Sequence, residues 1–317
     1  MNNSPSPNGS PAPLVEARKL VKRFGDFTAV DGIDVEVQAG EAFGFLGPNG
    51  AGKSSTMRMI GAVSPPTEGE LKVLGLDPVR DGPKIRARLG VVGQENALDE
   101  QLTVGDNLAI YGRYFDLPRS VIRERIDELL DFVQLKERRD SKVDPLSGGM
   151  KRRLVIARSL INDPDMVLLD EPTTGLAPQA RHALWERLYG LKQRGVTLIL
   201  TTHYMDEAEQ LCDRLVVMDQ GRIVAEGAPS QLIATHASRE VIELRFPPGE
   251  QVDALPKLDG LGDHVEELPD RVLISSNDAE AVVREVHTRG LEPATVLIRR
   301  STLEDVFLRL TGRTLID

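Results

Sequence analysis

The chain has 317 residues, of which 40% are hydrophobic and 28% are charged. These proportions are typical of a globular protein, and the length allows one large or two ordinary domains. A formal net charge of -10 argues against a nucleic-acid-binding protein, which would usually carry a basic face. Cys212 is the only cysteine, so a disulfide framework is excluded and a reducing cytoplasm is expected. No apolar run approaches the ~20 residues of a membrane-spanning helix, so a membrane process would require another chain to cross the bilayer.

The N-terminal region combines a polar tail with two candidate strands. Residues 1–13 are mostly Ser, Pro, Asn and Gly and lack the basic and apolar segments of a signal peptide, which predicts a disordered tail. Residues 14–23 and 33–37 alternate apolar and polar side chains, which predicts two half-buried strands. The turn between them holds two aromatic residues, Phe24 and Phe27.

Residues 47–55 read GPNGAGKSS and fit the phosphate-binding P-loop, which is a glycine, four residues, and then Gly-Lys-Ser/Thr. Glycines let the backbone turn its N–H groups toward phosphates, because no Cβ blocks the approach. Lys53 would supply a point charge for the β- and γ-phosphates, and the Ser54 hydroxyl would bind magnesium. A strand predicted at 41–46 and a helix predicted at 53–62 flank the loop, and the helix dipole favours the same phosphates. The segment predicts a nucleoside triphosphate site formed by Gly47, Pro48, Asn49, Gly50, Ala51, Gly52, Lys53, Ser54 and Ser55.

Downstream of this loop, short apolar segments alternate with helical patterns. Apolar residues at helical spacing predict a helical insert at about 95–145, which begins near the N-cap candidate Thr103. The alternation of strands and helices around a P-loop predicts an α/β fold with a mostly parallel sheet. We predict strands at 70–73, 89–92, 166–169 and 196–201, helices at 151–160, 179–192 and 206–211, and a hairpin at 214–218 and 222–225.

Two neighbouring carboxylates, Asp170 and Glu171, follow the apolar segment 166–169. Adjacent strand residues point to opposite faces, so both carboxylates could not be buried in a core. At the C-terminal end of a parallel strand, where ligands bind, the two carboxylates can take different roles. Asp170 can hold magnesium through its water shell, and Glu171 can face the attacking water as base or polariser. The alternative is a solvated acidic strand end, and the upstream P-loop favours the catalytic interpretation.

The segment Ser147-Gly148-Gly149 precedes the helix predicted at 151–160. One interpretation is an ordinary helix start capped by serine. The other is a second anion site, because a hydroxyl, unshielded N–H groups and a helix dipole converge there. Two phosphate-binding motifs in a chain with one P-loop imply that the second serves the nucleotide of another subunit.

Taken together, the P-loop, Gln94, LSGGM, LLDEPTTGL and TTHYMDEAE resemble an ATP-binding cassette (ABC) ATPase. The resemblance implies ATP and Mg²⁺ as cofactors and a role for each matching residue. Phe24 matches the aromatic residue that stacks on adenine, and Gln94 matches the glutamine that senses magnesium and the attacking water. Asp170 and Glu171 match the Walker B aspartate and the catalytic glutamate. His203 matches the switch histidine that contacts the γ-phosphate.

Two positions depart from the family pattern. The usual glutamine after Ser-Gly-Gly is Met150, a position that supplies no phosphate contact, so little effect is expected. The Gly-Leu-Asp or Ala-Leu-Asp loop of the family reads Gly175-Leu176-Ala177 here. In the family, that aspartate helps couple the two nucleotide sites across the dimer. Its absence predicts slow and weakly cooperative hydrolysis, with nucleotide binding retained.

The resemblance covers residues 14–236, which implies an ABC nucleotide-binding domain with an antiparallel β subdomain and a helical subdomain. The composition changes near Ala237, and residues 237–317 are predicted to form a small α+β domain. Its predicted strands are 240–246, 271–275 and 294–298, and its predicted helices are 278–288 and 302–310.

The segments SGGMKRR, DEPTTGL and LCDRLVVMDQGRIVAEG resemble ATP subunits of bacterial exporters for drugs such as daunorubicin and for nodulation factors. The final STLEDVFLRLTGR resembles the tail of drug-exporter subunits. The resemblance implies a Mg-dependent ATPase that closes as a head-to-tail homodimer over two Mg-ATP and drives a separate transmembrane permease from the cytoplasmic face of the membrane. The implied process is efflux of drugs or other amphiphilic compounds, hence multidrug efflux and antibiotic resistance. The alternative, which Ala177 keeps open, is a non-transporting regulatory or binding ABC protein.

Overall fold

The computed structural model describes residues 12–247 and 249–312. The predicted disordered tail, residues 1–13, lies outside the described residues except for its last two positions. The chain divides between Glu226 and Gly227 into two compact units, ten residues before the boundary predicted after residue 236. Among the described residues, no helix is both long enough and apolar enough to cross a lipid bilayer.

The first unit contains the strands and helices that the sequence predicts, in the predicted order, together with one short helix, Gly82–Arg86, that was not predicted. Its elements are β1 Val15–Phe24, β2 Phe27–Val37, β3 Ala42–Leu46, α1 Lys53–Ile60, β4 Glu68–Val73, α2 Gly82–Arg86, β5 Leu89–Val92, α3 Val104–Tyr114, α4 Arg119–Phe132, α5 Gly148–Ser159, β6 Met166–Asp170, α6 Pro178–Gln193, β7 Thr197–Thr202, α7 Met205–Leu211, β8 Arg214–Asp219 and β9 Arg222–Gly227.

Six strands form the central sheet in the order β5-β6-β7-β3-β8-β9. The pairs β5/β6, β6/β7, β7/β3 and β3/β8 are parallel, which confirms the predicted α/β fold with a mostly parallel sheet. All five residues of β3 are buried, as expected for a strand covered on both faces. The register pairs Leu46 with Thr202 and Asp170 with Thr201, so β3, β6 and β7 end side by side.

Three antiparallel strands form a second sheet in the order β2-β1-β4, which confirms the antiparallel β subdomain. Strand β2 begins at Phe27, six residues before the start predicted at residue 33, because a tight hairpin pairs Phe27 directly with Phe24. Apolar side chains of this sheet, of α1 and of the central sheet share one core cluster.

The helical insert contains two helices, α3 and α4, that pack with α5 around a common core. Thr103 caps α3 as predicted, because its side chain accepts a hydrogen bond from the Asp106 N–H. The chain turns between the helices, where Asp116 adopts a φ of 55°. Gly112 allows α3 and α4 to approach closely, since a Cβ there would lie 2.7 Å from Ile122 Cγ1.

The elements of the second unit are α8 Pro229–His236, β10 Glu240–Arg245, α9 Gln251–Leu258, β11 His264–Leu268, β12 Arg271–Ser276, α10 Ala279–Thr288, β13 Thr295–Arg300 and α11 Leu303–Thr311. Its strands form a four-stranded antiparallel sheet in the order β11-β12-β10-β13, which confirms the small α+β domain. Apolar residues of α9 and α10 pack with Ile242 and Ile274 in one cluster, and Leu308 of α11 packs with Val241 and Leu273 in another. Helices α8 and α9 and strand β11 are additions to the predicted elements.

Candidate nucleotide-binding site

The P-loop, the acid pair and His203 meet at the carboxyl-terminal edge of the central sheet. Strand β3 ends at Leu46 directly before the loop, β6 ends at Asp170, and β7 ends at Thr202. Because these strands are parallel neighbours, the segments that follow them lie side by side. Ligands bind at this edge in such sheets, so the topology assembles a site from residues far apart in the sequence.

The P-loop backbone needs glycine for its own folding as well as for ligand approach. Gly50 and Gly52 have φ values of 81° and 102°, in a region that favours glycine. A Cβ on Gly52 would lie 2.4 Å from the Ala29 carbonyl oxygen, and a Cβ on Gly47 would lie 2.3 Å from the Met218 carbonyl oxygen. The loop therefore fits against β2 and β8 only without these side-chain atoms.

Lys53 begins α1 and folds back under the loop. Its Nζ donates hydrogen bonds to the carbonyl oxygens of Gly47 at 2.7 Å and Pro48 at 2.9 Å, and the residue is only 5% exposed. Burial lowers the pKa of Lys53, while the nearby Glu171 and Asp170 carboxylates favour its charged form. An ammonium group has three donors, so one remains beyond these two bonds for an anion.

Oxygen atoms of Ser54 and Asp170 lie together where the sequence predicts magnesium. Ser54 Oγ donates to Asp170 Oδ1 at 3.3 Å, and Thr201 Oγ1 donates to the same carboxylate oxygen. Mg²⁺ prefers oxygen ligands and usually takes one or two protein carboxylates together with waters and substrate phosphates. No cluster of three or more His, Cys, Asp and Glu side chains in the described part of the chain could hold a metal. The donor set therefore fits magnesium that arrives with a phosphate chain.

Glu171 follows β6 and adopts a φ of 46°, a strained conformation for a residue with a side chain. Its N–H donates to the backbone and hydroxyl oxygens of Thr201, and its Oε2 accepts a hydrogen bond from Thr174 Oγ1 at 3.2 Å. Its Oε1 lies 3.4 Å from His203 Nδ1, a buried atom that forms no hydrogen bond within the described residues. The structure therefore places the two predicted catalytic side chains next to each other.

A cavity of about 260 Å³ opens between the P-loop and Glu171. Gln94, which follows β5, borders the same space as Lys53 and Ser54, so the structure brings these predicted residues together. The lining residues are Phe27, Ala29, Asn49, Gly50, Gly52, Lys53, Ser54, Ser55, Gln94 and Glu171.

Phe27 is a lining residue that the sequence interpretation did not select. Phe24, the predicted adenine contact, is 51% exposed and pairs with Phe27 at the end of the hairpin, but it does not line the cavity. The Lys22 ammonium lies 5.0 Å from the centre of the Phe24 ring. The adenine contact of Phe24 stays a prediction. The two aromatic residues in one turn were the signal that could have drawn attention to Phe27.

Ser147 caps helix α5, which begins at Gly148, three residues before the predicted start. Its side chain accepts a hydrogen bond from the Met150 N–H, so the capping interpretation is correct for its geometry. Ser147 and Gly148 are exposed and do not line the P-loop cavity of their own chain. Gly149 lies against α6, where an added Cβ would be 3.3 Å from Ala180 Cβ. A role for this segment at another subunit's nucleotide stays a prediction.

Arg152 is a second residue that the sequence interpretation missed. It is 4% exposed, and burial lowers the pKa of its guanidinium. Its position in the basic run 151–153 was the available signal, although such runs usually mark a solvated helix face. Its nitrogen atoms donate to the carbonyl oxygens of Gly93, Gln94, Asp170, Glu171 and Pro172.

Two family models match the chain. The ABC transporter model matches residues 30–174, and the model of the C-terminal domain of nodulation factor export protein NodI matches residues 253–312. A Nod factor export ATP-binding protein I from Ralstonia nicotianae is 44% identical over 99% of this chain and 98% of its own length. The chain belongs to the ABC transporter ATPase family. ATP hydrolysis is therefore the expected activity of this ABC ATPase.

Further relatives carry the same name. The Nod factor export ATP-binding protein I of Paraburkholderia xenovorans is 46% identical over 97% of this chain and all of its own length. The protein of that name from Rhizobium meliloti is 45% identical over 98% of this chain and 92% of its length. These names conflict with the multidrug efflux and antibiotic resistance expected from the sequence, because they assign a different cargo to the relatives. The similarity to drug exporters, which covers only the short C-terminal tail, is therefore weaker evidence about the cargo than the similarity that covers the full chain.

Solved ABC ATPases share the fold of this chain. CbiO1 from Clostridium perfringens, part of the ABC transporter complex cbiONQ, is 29% identical with a TM-score of 0.66 over 71% of this chain and 92% of its own. An ATP-binding cassette in a dimeric post-hydrolysis state with ADP and Pi is 27% identical with a TM-score of 0.62 over 68% of this chain and 98% of its own. The latter structure shows that a protein with this fold dimerises.

In this ABC ATPase, Ala177 is the N-cap residue of α6 and provides no side-chain cap. Ala177→Asp is expected to stabilise α6 by about 1 kcal/mol, because aspartate is a preferred N-cap, which would raise the melting temperature by about 2–4 °C. If an aspartate here couples the two sites, steady-state hydrolysis will also become faster or more cooperative. The measurements are thermal melting and ATPase activity against ATP concentration.

Ala177→Asn is the matched control, because asparagine caps a helix as well as aspartate does but carries no charge. Stabilisation by both variants, with faster or more cooperative hydrolysis only for aspartate, would assign the coupling to the charge. If the wild type already hydrolyses ATP rapidly and cooperatively, and Ala177→Asp changes neither property, then Ala177 does not impair hydrolysis or coupling.

Proposed function

We propose that this chain is the ATP-hydrolysing subunit of an exporter whose cargo is of the Nod factor type. The observation that carries this proposal is the similarity to Nod factor export ATP-binding proteins over 97–99% of the chain, which includes the C-terminal match at residues 253–312. The site geometry supports the energy-supplying step, because the P-loop, Gln94 and Glu171 surround one cavity.

ATP would bind with its phosphates against the P-loop, where the backbone N–H groups and the α1 N-terminus favour negative charge. The buried ammonium of Lys53 is held by two carbonyl oxygens, so it is already positioned when the phosphates arrive. Such a preorganised charge stabilises a transition state without further rearrangement. Phe24, at the end of the β1–β2 hairpin, is the proposed adenine contact.

Ser54, Gln94 and Asp170 are the residues that would hold Mg²⁺. When bound, the ion neutralises negative charge on the β- and γ-phosphates. Thr201 orients the Asp170 carboxylate through a hydrogen bond to Oδ1. This bond fixes one oxygen of the carboxylate, and Ser54 Oγ lies 3.3 Å from the same oxygen, so the two proposed ligands are adjacent.

Glu171 is the proposed general base. Its carboxylate would accept a proton from the attacking water as the water oxygen bonds to the γ-phosphorus and the bond to the bridging β–γ oxygen breaks, giving ADP and phosphate. Thr174 Oγ1 donates a hydrogen bond to one carboxylate oxygen at 3.2 Å, which restrains the side chain, and His203 Nδ1 lies 3.4 Å from the other oxygen. His203 is the proposed contact of the γ-phosphate.

We propose a head-to-tail homodimer in which Ser147, Gly148 and Gly149 of one chain meet the nucleotide of the other. The exposure of Ser147 and its absence from the lining of its own chain's cavity support this arrangement. A groove of about 420 Å³ next to Gln94 includes two exposed valines, Val63 and Val91 at 71% and 54% exposure. We propose that permease subunits dock on this surface, so that the protein attaches peripherally to the cytoplasmic face of the membrane.

Co-expression with a candidate permease subunit tests this function. The chain is expected to co-purify with that protein in detergent, to appear in the membrane fraction only when it is present, and to drive ATP-dependent accumulation of Nod factor in inside-out vesicles. Glu171→Gln should abolish transport while co-purification remains. An active ATPase that binds no membrane protein and supports no transport would favour the alternative, a non-transporting regulatory ABC protein.

A further inference from the structure

Helix α5 carries two features close together at its N-terminal end. Ser147 caps the helix and is exposed, whereas Arg152 lies five residues later and is buried, which places it about 7.5 Å further along the axis. Leu154 and Ile156 are fully buried on the same helix. Because interiors are close-packed and transmit strain, a displacement of Ser147 would move Arg152 with it.

The guanidinium of Arg152 holds both sides of its own chain's catalytic cavity. On one side, Nη1 donates to the carbonyl oxygens of Gly93 and Gln94. On the other, Nε donates to Pro172 O at 2.7 Å, and Nη2 donates to Glu171 O at 3.1 Å and to a further carbonyl of β6. One planar group therefore sets the spacing between the backbone of Gln94 and the backbone of Glu171.

Arg158 attaches the same helix to the segment after Gln94 at a second point. Its nitrogen atoms donate to Ala97 O at 2.6 Å and Asn96 O at 3.1 Å, and its guanidinium lies 4.2 Å from the centre of the Tyr111 ring. The segment from Gly93 to Ala97 is thus held to α5 by two buried arginines, so it would follow a movement of the helix.

We propose that Arg152 is a positioning residue that couples the two nucleotide sites. Contact of Ser147 with the nucleotide of the partner chain would displace α5, and Arg152 would pass this displacement to Gln94 and Glu171 of its own chain. The inference rests on the head-to-tail dimer of the proposed function. With Ala177 in place of the coupling aspartate, α5 is a route between the sites that does not need that side chain.

Arginine suits this role because its five N–H donors lie in one rigid fork. A lysine at position 152 would keep the charge but would offer only a point donor, so it could not bridge carbonyl groups on both sides of the cavity. The kcat of Arg152→Lys is therefore expected to lie between the values of the wild type and of Arg152→Gln.

The test is a double-mutant cycle between Ser147→Ala and Arg152→Gln in the full chain, read as steady-state ATP turnover. Arg152→Gln is expected to lower kcat by about tenfold to a hundredfold, because small misplacements of catalytic groups have effects of this size, with the Kd for ATP changed less than about twofold. Ser147→Ala should lower kcat in the wild type but have little further effect in Arg152→Gln, since residues that act as a unit are non-additive.

Arg153→Gln is the matched control, since Arg153 lies on the same helix and donates to Val133 O in the helical insert, away from the cavity. Its kcat should stay close to that of the wild type. If Arg152→Gln does not fold, as judged by thermal melting and ATP binding, the same cycle is run with Arg152→Lys. Effects of the two substitutions that multiply independently would overturn the coupling while the ATPase function stands. A wild type that hydrolyses no ATP would instead overturn the proposed function itself.

Discussion

Glu171→Gln is expected to reduce ATP turnover by about a hundredfold or more, the usual effect of removing a positioned general base. Glutamine keeps the size of the side chain and one oxygen for the Thr174 hydrogen bond, but it cannot take the proton from water. ATP binding should remain, because Lys53 and the P-loop are unchanged, and the proposed dimer should accumulate in its closed form. The measurements are steady-state ATPase activity, the Kd for ATP, and size-exclusion chromatography with ATP.

Glu41→Gln is the matched control for this variant. Glu41 lies at the opposite end of β3, where burial raises the pKa of its carboxyl and its Oε2 accepts a hydrogen bond from the Gln38 N–H. The control tests whether loss of any partly buried carboxylate slows turnover, and its kcat should stay near the wild-type value. Undiminished hydrolysis in Glu171→Gln would remove Glu171 from the role of base.

Lys53→Ala is expected to weaken ATP binding by about tenfold to a hundredfold, because a hydrogen bond to a charged group contributes about 1.5–3 kcal/mol. The substitution removes the buried ammonium and its bonds to the carbonyl oxygens of Gly47 and Pro48. Turnover should fall as well, since the same charge stabilises the phosphates in the transition state. Isothermal titration with ATP gives the affinity, and thermal melting without nucleotide reports on folding.

Lys192→Ala serves as the comparison for Lys53→Ala. Lys192 is in the last turn of α6 and pairs with Asp213, so its removal deletes a lysine and an ion pair outside the cavity. Its ATP affinity is expected to stay within about twofold, as is usual for a surface position. Wild-type affinity in a folded Lys53→Ala protein would contradict the assignment of Lys53.

The sequence was sufficient for the features that depend on local chemistry. The P-loop pattern specifies its glycines and Lys53 at fixed spacing, and the apolar segment before Asp170 identifies a buried strand. Periodicity also predicted the helical insert and the cap at Thr103, because a capping bond joins residues only three positions apart. The fold class followed from the order of these elements.

Weak sequence patterns explain why two strand segments and one buried arginine were not predicted. Strand β11 carries partly exposed, mostly polar residues, so it lacks the alternation that marks a half-buried strand. The early part of β2 was missed because its pairing with β1 depends on a hairpin rather than on an apolar pattern. Arg152 was not selected from the sequence, because nothing in a basic run shows which side chain turns inward.

By itself, then, the sequence determined the candidate residues for the chemistry of this ABC ATPase. Lys53, Asp170 and Glu171 belong to short motifs with their own local signals, and His203 was proposed from the family resemblance. Only the tertiary structure decided how they meet. Strands β3, β6 and β7 are distant in the chain, and hydrogen-bond register in a parallel sheet brings their ends to one edge. The tertiary structure also decided that Arg152 is buried, because its five carbonyl partners come from two segments, 93–94 and 170–172, which only folding places around one guanidinium.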